Sequence, residues 1–127
     1  MSRETYEAFE GQGKAFGFSQ AIKVDDVIYV SGTIGIGADM QLPDAMADQM
    51  RLAYANLAET LTYFGASLHD VVSQTVFVTD LDDAFACGDV RQRAFADATL
   101  PTSAMVEVSR LAIGAKVEIQ SIAHLTQ

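Results

Sequence analysis

The sequence predicts an α/β (α+β) fold: about six strands in one sheet, ordered β-β-α-β-α-β-β, with two helices on one face. Three observations predict it. Residues 44–64 repeat apolar side chains at spacings of three and four. Residues 25–36 and 70–81 carry β-favouring runs, the second strictly alternating. Two further strand-like runs follow Pro101. At 127 residues, without repeats or low-complexity tracts, the chain reads as one domain spanning 1–127.

The elements follow in order. "GQGKAFG" (11–17) holds glycines and a lysine, but it follows no strand and lacks phosphate-loop spacing. It reads as a mobile lead into the first strand, 16–24. Asp25-Asp26 signals a turn, so 16–24 and 27–36 read as a hairpin, the second strand breaking at Gly32. In the first helix Met46, Met50, Tyr54, Leu57, Leu61 and Phe64 form the core stripe, Asp44 is placed to cap it, and Gly65 stands at C′. In 70–81, Val72, Gln74, Val76 and Val78 alternate against Ser73, Thr75, Phe77 and Thr79. Asp82 or Asp83 starts a second helix, 83–97, in which Gly88 is a penalty of about 1 kcal/mol. Strands at 104–111 and 115–125 close the chain, with Ile113-Gly114 in the turn between them.

Two helices cover one face of such a sheet. The other face keeps apolar side chains, and a second copy of the chain is the economical cover. Half the residues are hydrophobic and only 20% charged, which points the same way. The net charge of −9, from 17 acidic and 8 basic residues, argues against a nucleic-acid partner, which needs a basic stripe. The single cysteine, Cys87, permits no intrachain disulfide and sits in an apolar run as a packed core thiol. No apolar run suits a signal peptide, and none approaches the ~20 residues of a membrane span. A cytoplasmic protein with no membrane partner is the expectation. His69, His124 and Cys87 are too scattered for a metal site.

Several runs together resemble the RidA/YjgF family of enamine/imine deaminases, formerly the endoribonuclease L-PSP family. They are "GFSQAIKV", "IYVSGTIGI", "AYANLAETLTYFGASLHDVVSQTVFVTDLDD", "PTSAMVEVSRL" and "KVEIQSIA", and they span about residues 16–124 in compatible order. The resemblance implies a chorismate-mutase-like fold and a homotrimer with three clefts, each lined by two neighbouring subunits. It also implies hydrolysis of small enamines or imines to a keto acid and ammonia, with no metal or organic cofactor. RNA cleavage, ascribed to some members, fits poorly with the acidic charge.

The departures from the family pattern bear most on function. The family's carboxylate-anchoring arginine, in Pro-x-Arg-Ser, is replaced by Ser103, after Thr102. A serine cannot reproduce a guanidinium fork. A charge-assisted hydrogen bond is worth ~1.5–3 kcal/mol, so carboxylate binding should weaken roughly 10- to 100-fold or more. Phe18 stands for a tyrosine, Gln120 for a glutamate, Gly88 for an asparagine and Thr33 for a glutamine, whereas Ser31, Gly32 and Glu107 persist. Gln120 can hold a water but cannot exchange its proton near neutral pH.

The candidate catalytic residues are therefore Glu107 and Gln120, and the candidate binding residues are Phe18, Ser31, Gly32, Thr33, Gly88, Thr102 and Ser103. Alternatives stay open for several. Thr102, Ser103 and Ser31 could face a small ligand or satisfy nearby backbone. Glu107 could act as acid or base, or pair with a basic residue across a subunit interface. Arg110 reads as structural. The competing functions are a divergent imine or enamine hydrolase, inefficient on 2-aminoacrylate, and a non-catalytic small-molecule-binding or interaction trimer.

Overall fold

The structure, a computed structural model, describes residues 2–125. Its elements are β1 (Arg3–Tyr6), α1 (Gln12–Phe16), β2 (Ala21–Val24), β3 (Val27–Ile34), α2 (Met46–Tyr63), β4 (Val71–Val78), α3 (Leu81–Ala86), α4 (Gly88–Ala94), β5 (Thr102–Glu107) and β6 (Val117–His124). The six strands form one mixed sheet in the order β1-β2-β3-β6-β4-β5. Only β4 and β5 run parallel, joined by the α3–α4 crossover.

The α2 stripe is buried as its periodicity requires, and Leu57 and Leu61 are wholly inaccessible. They pack on Ile28, Val76, Val78, Val117 and Ile119, which the strand alternation turns to the same face. Each fully buried side chain of this kind contributes roughly 1.5–3 kcal/mol. Gly65, at φ 77, ends α2: Ala66 N–H donates to Leu61 O and Gly65 N–H to Thr62 O, the paired bonds of a Schellman motif. The β2–β3 hairpin turns on Asp25 and Asp26, with Val24 opposite Val27 and Asp25 at φ 51. Cys87 is buried, and that burial pushes its thiol pKa up. Among the described residues no helix is long and apolar enough to cross a membrane.

Several expectations need correction. The segment before the first strand is not an unstructured lead. Residues 12–16 form α1, bounded by Gly11 and Gly17 at positive φ. Glu7 fastens it by accepting from Gly11 N–H and Gly13 N–H at 2.8 Å each, bonds that also hold the Glu7 carboxyl below its ordinary pKa. The first predicted strand shrinks to Ala21–Val24, and an extra strand, β1, pairs with it. Asp44 does not cap α2: the N-cap is Ala45, without a side-chain bond. The second helix is two helices broken at Cys87, so Gly88 opens α4 rather than weakening a helix interior. Asp80 caps α3 by accepting from Asp83 N–H. A register shift between Val71 and Ser73 places Val71 in the core and leaves Val72 exposed, against the simple alternation.

The helices cover one face. On the other, Tyr29, Val72, Val106 and Ile122 are exposed, and β5 is an edge strand exposed at five of six residues.

Candidate functional site

Between Val30 and Thr33 the pairing of β3 with β6 shifts: Val30 lies opposite Ser121 and Thr33 opposite Ile119. Ser31 and Gly32 together therefore face Gln120. From Gln120 the register continues to Thr75 on β4 and Ala104 on β5. One level of the sheet thus carries the Ser31-Gly32 bulge, Gln120, Thr75 and the residue after Ser103. A depression of about 240 Å³ opens here on the uncovered face, lined by Tyr29, Ser73, Thr75, Gln120 and Ile122.

The predicted residues fall into four groups. Phe18, Ser31, Gly32 and Gln120 form the first. Ser31 Oγ donates to Ser19 O at 2.6 Å and Ser31 N–H to Gln20 O at 2.9 Å, tying the half-exposed Phe18 loop to the bulge. Ser31 is thus satisfied by backbone. Thr33 is buried on the opposite face and donates to Ser31 O, so it supports the bulge from behind. Thr102 and Ser103 form the second group, at the start of β5. Thr102 Oγ1 donates to Val72 O at 3.1 Å, whereas Ser103 Oγ accepts from Gln74 Nε2 at 3.3 Å. Gly88 stands alone at the start of α4.

Glu107, the fourth, makes its contact within the chain. It is exposed, and its carboxylate accepts from Leu81 N–H at 3.0 Å, at the N-terminus of α3. It holds a helix end in place, as an acid there should.

Three residues with a stake in the site were not singled out. Glu118 lies two residues before Gln120 on the same face of β6. A Cβ on Gly32 would lie 2.6 Å from Glu118 Cδ, so the glycine makes room for that carboxylate over the bulge. The other two are Tyr54 and Gln74, both buried: Tyr54 Oη donates to Gln74 Oε1 at 3.0 Å. The signal for Gln74 was present in the sequence, as a polar side chain in line with Val76 and Val78.

Burial pushes the Tyr54 phenol up to about 12, against smaller opposing effects of the Gln74 bond and the Arg91 charge. The folded state therefore keeps this proton after the unfolded chain has released it near pH 10. Stability is full below pH 10 and falls as pH rises toward 12, by up to about 3 kcal/mol. Urea titrations between pH 9 and 12 should show that slope, and Tyr54→Phe should flatten it.

An α+β sheet layered on one side by helices, with a glycine bulge and a hydroxyl-lined edge, is the fold class to which the comparisons also lead. The profile described as Endoribonuclease L-PSP matches residues 12–125. The chain belongs to this family, the RidA/YjgF family. It is similar to the 2-iminobutanoate/2-iminopropanoate deaminase of Mus musculus, 32% identical over 84% of this chain and 79% of that protein. Among solved structures, a Mycobacterium tuberculosis member of the YjgF/YER057c/UK114 family superposes with a TM-score of 0.85 at 32% identity, covering 98% of this chain and 100% of that one. Escherichia coli TdcF with bound serine superposes at 0.82 with 31% identity, over 86% of this chain and 88% of that one.

Proposed function

We propose that this protein is a cofactor-independent imine/enamine deaminase of the RidA class, working in clefts between the copies of a homotrimer and handling 2-aminoacrylate poorly. The observation that carries this reading is the exposed Ser103 hydroxyl at the rim of an otherwise family-like sheet. The deaminase relatives supply the reaction class, and the absent arginine supplies the restriction on substrate.

The geometry supports a shared cleft. Ser103 and the Ser31-Gly32 bulge lie three strands apart. At ~4.8 Å per strand this is roughly 14 Å, too far for one small metabolite to touch both within a chain. A second copy against the exposed β5 edge brings such groups around one ligand and covers the apolar side chains left open.

In the hydrolysis, water oxygen bonds to the imine carbon while the C=N π pair takes a proton at nitrogen. The C–N bond of the resulting carbinolamine then breaks as nitrogen takes a second proton and the hydroxyl gives its proton up, releasing ammonia and leaving a carbonyl. Gln120 can hold the water through its amide. Glu118, on the same strand face, is the carboxylate placed to take the proton the water loses.

The test is ammonia and keto-acid release from imines generated in situ by an L-amino-acid oxidase, with sedimentation velocity reporting assembly. Turnover by a trimer is expected, and Glu118→Gln should lower the rate about 100-fold or more. A trimer that binds keto acids without turnover would favour the non-catalytic reading, to which Gln120 and Ser103 lend themselves. A monomer would remove the shared cleft altogether.

A further inference from the structure

Three polar side chains cross the helix-covered face of the sheet in register. Gln74 lies opposite Ser121 on one side and Ser103 on the other. Ser121 and Gln74 are buried among aliphatic neighbours, while Ser103 reaches the exposed edge. Above Gln74 stands Tyr54, itself buried and packed edge-on against Phe95, with ring centroids 5.4 Å apart. Tyr54 Oη donates to Gln74 Oε1, and Gln74 Nε2 donates to Ser103 Oγ.

A primary amide has one accepting end and one donating end. Which end faces Ser103 is therefore decided by what the other end meets. A buried phenol keeps its proton and must place it on an acceptor, because an unmet donor in such a setting costs about 1–3 kcal/mol. Among the described residues the acceptor Tyr54 finds is Gln74 Oε1. The reversed amide would leave the phenol proton without that acceptor. Nε2 then has to face Ser103, whose oxygen accepts, so the serine's own hydrogen is left free for another acceptor.

We infer that Tyr54 and Gln74 are positioning residues that set Ser103 as a hydrogen-bond donor toward the ligand, so that this rim selects a carboxylate or carbonyl oxygen over an N–H group. The inference rests on the cleft reading for its ligand and deepens it. The rim then prefers oxygen acceptors, met by a neutral donor.

Two measurements on the full chain test this separately. The first needs no ligand. In NOE spectra, the Gln74 side-chain amide protons should give stronger cross-peaks to Ser103 Hβ than to the Tyr54 ring, and Tyr54→Phe should weaken that bias. The opposite ratio in the wild type overturns the inference whatever the cleft binds. The second uses pyruvate as an acceptor probe and isopropylammonium as a donor-only probe, followed by chemical-shift titration. Ser103→Ala should weaken pyruvate several-fold. Tyr54→Phe should lower the ratio of pyruvate to isopropylammonium affinity, whereas simple structural damage would weaken both alike. If Ser103→Ala matters and Tyr54→Phe leaves the ratio unchanged, the positioning role is wrong and the cleft reading stands. If pyruvate does not bind, or Ser103→Ala has no effect, the cleft reading fails at this rim and the selectivity falls with it.

Discussion

Gly35→Ala is expected to lower the unfolding free energy by about 3 kcal/mol or more, read as a large drop in the urea midpoint. Gly35 follows β3 and lies directly on the backbone of α2. A Cβ there would meet Gln49 O at 2.1 Å and Gln49 C at 2.8 Å, distances that atoms cannot share. The contact is with a helix backbone, so no side chain can swing aside. The strand end cannot lift away either, because Asn56 Nδ2 donates to Ile34 O at 3.0 Å and to Ile36 O at 2.9 Å, holding the chain on both sides of the glycine. Below the contact, the Gln49 side chain donates to Pro43 O and accepts from Lys116 N–H, so the helix start is tied as well. Relief must break several of these bonds at once. Gly32→Ala is the useful contrast. Its overlap is with the Glu118 carboxyl, the far end of a flexible side chain. The fold should tolerate it, and the loss should appear in activity. Equal stability losses at the two glycines would show that the α2 contact is looser than described.

The same contrast explains what could be seen in advance. The α2 stripe was legible because burial on one side of a long helix imposes a 3.6-residue period, and Met46, Met50, Tyr54, Leu57, Leu61 and Phe64 are all buried. β1 was not legible. Arg3–Tyr6 is exposed but for Tyr6, and what holds it is pairing to β2 and the stacking of Tyr6 on Tyr63 at 4.7 Å. Neither leaves a local pattern. Simple alternation puts Val72 on the wrong face, because a bulge shifts alternation by one residue and has no marker in "VVSQ". In the site, Gly32 and Gln120 could be named from the family pattern. Glu118 could not, because its role depends on the empty space at Gly32 across the sheet. Tyr54 belongs to the core, as its place in the stripe requires. Its second task depends on Gln74, twenty residues on, and only the folded pairing brings the two together.

Ser103→Arg is the single substitution expected to gain function. Restoring a guanidinium at the rim should tighten pyruvate binding by roughly 10- to 100-fold, the inverse of the loss attributed to the serine. Ammonia release from freshly generated 2-aminoacrylate should rise with it. The new side chain starts from an exposed position on an edge strand, so its stem can pass outward without disturbing the core. It does remove the acceptor that Gln74 Nε2 uses. A buried amide donor left unmet costs about 1–3 kcal/mol, so the variant should bind more tightly while melting earlier. Opposite signs for affinity and stability are hard to obtain by accident. A parallel loss of both would mean that the arginine is turned inward against Gln74. Improved stability with unchanged affinity would mean that Ser103 lies outside the ligand's reach. Tight binding without any ammonia release would shift attention to Glu118: with the substrate held, the missing step would be the proton transfer assigned to that carboxylate, which the Gln120 amide cannot perform in its stead.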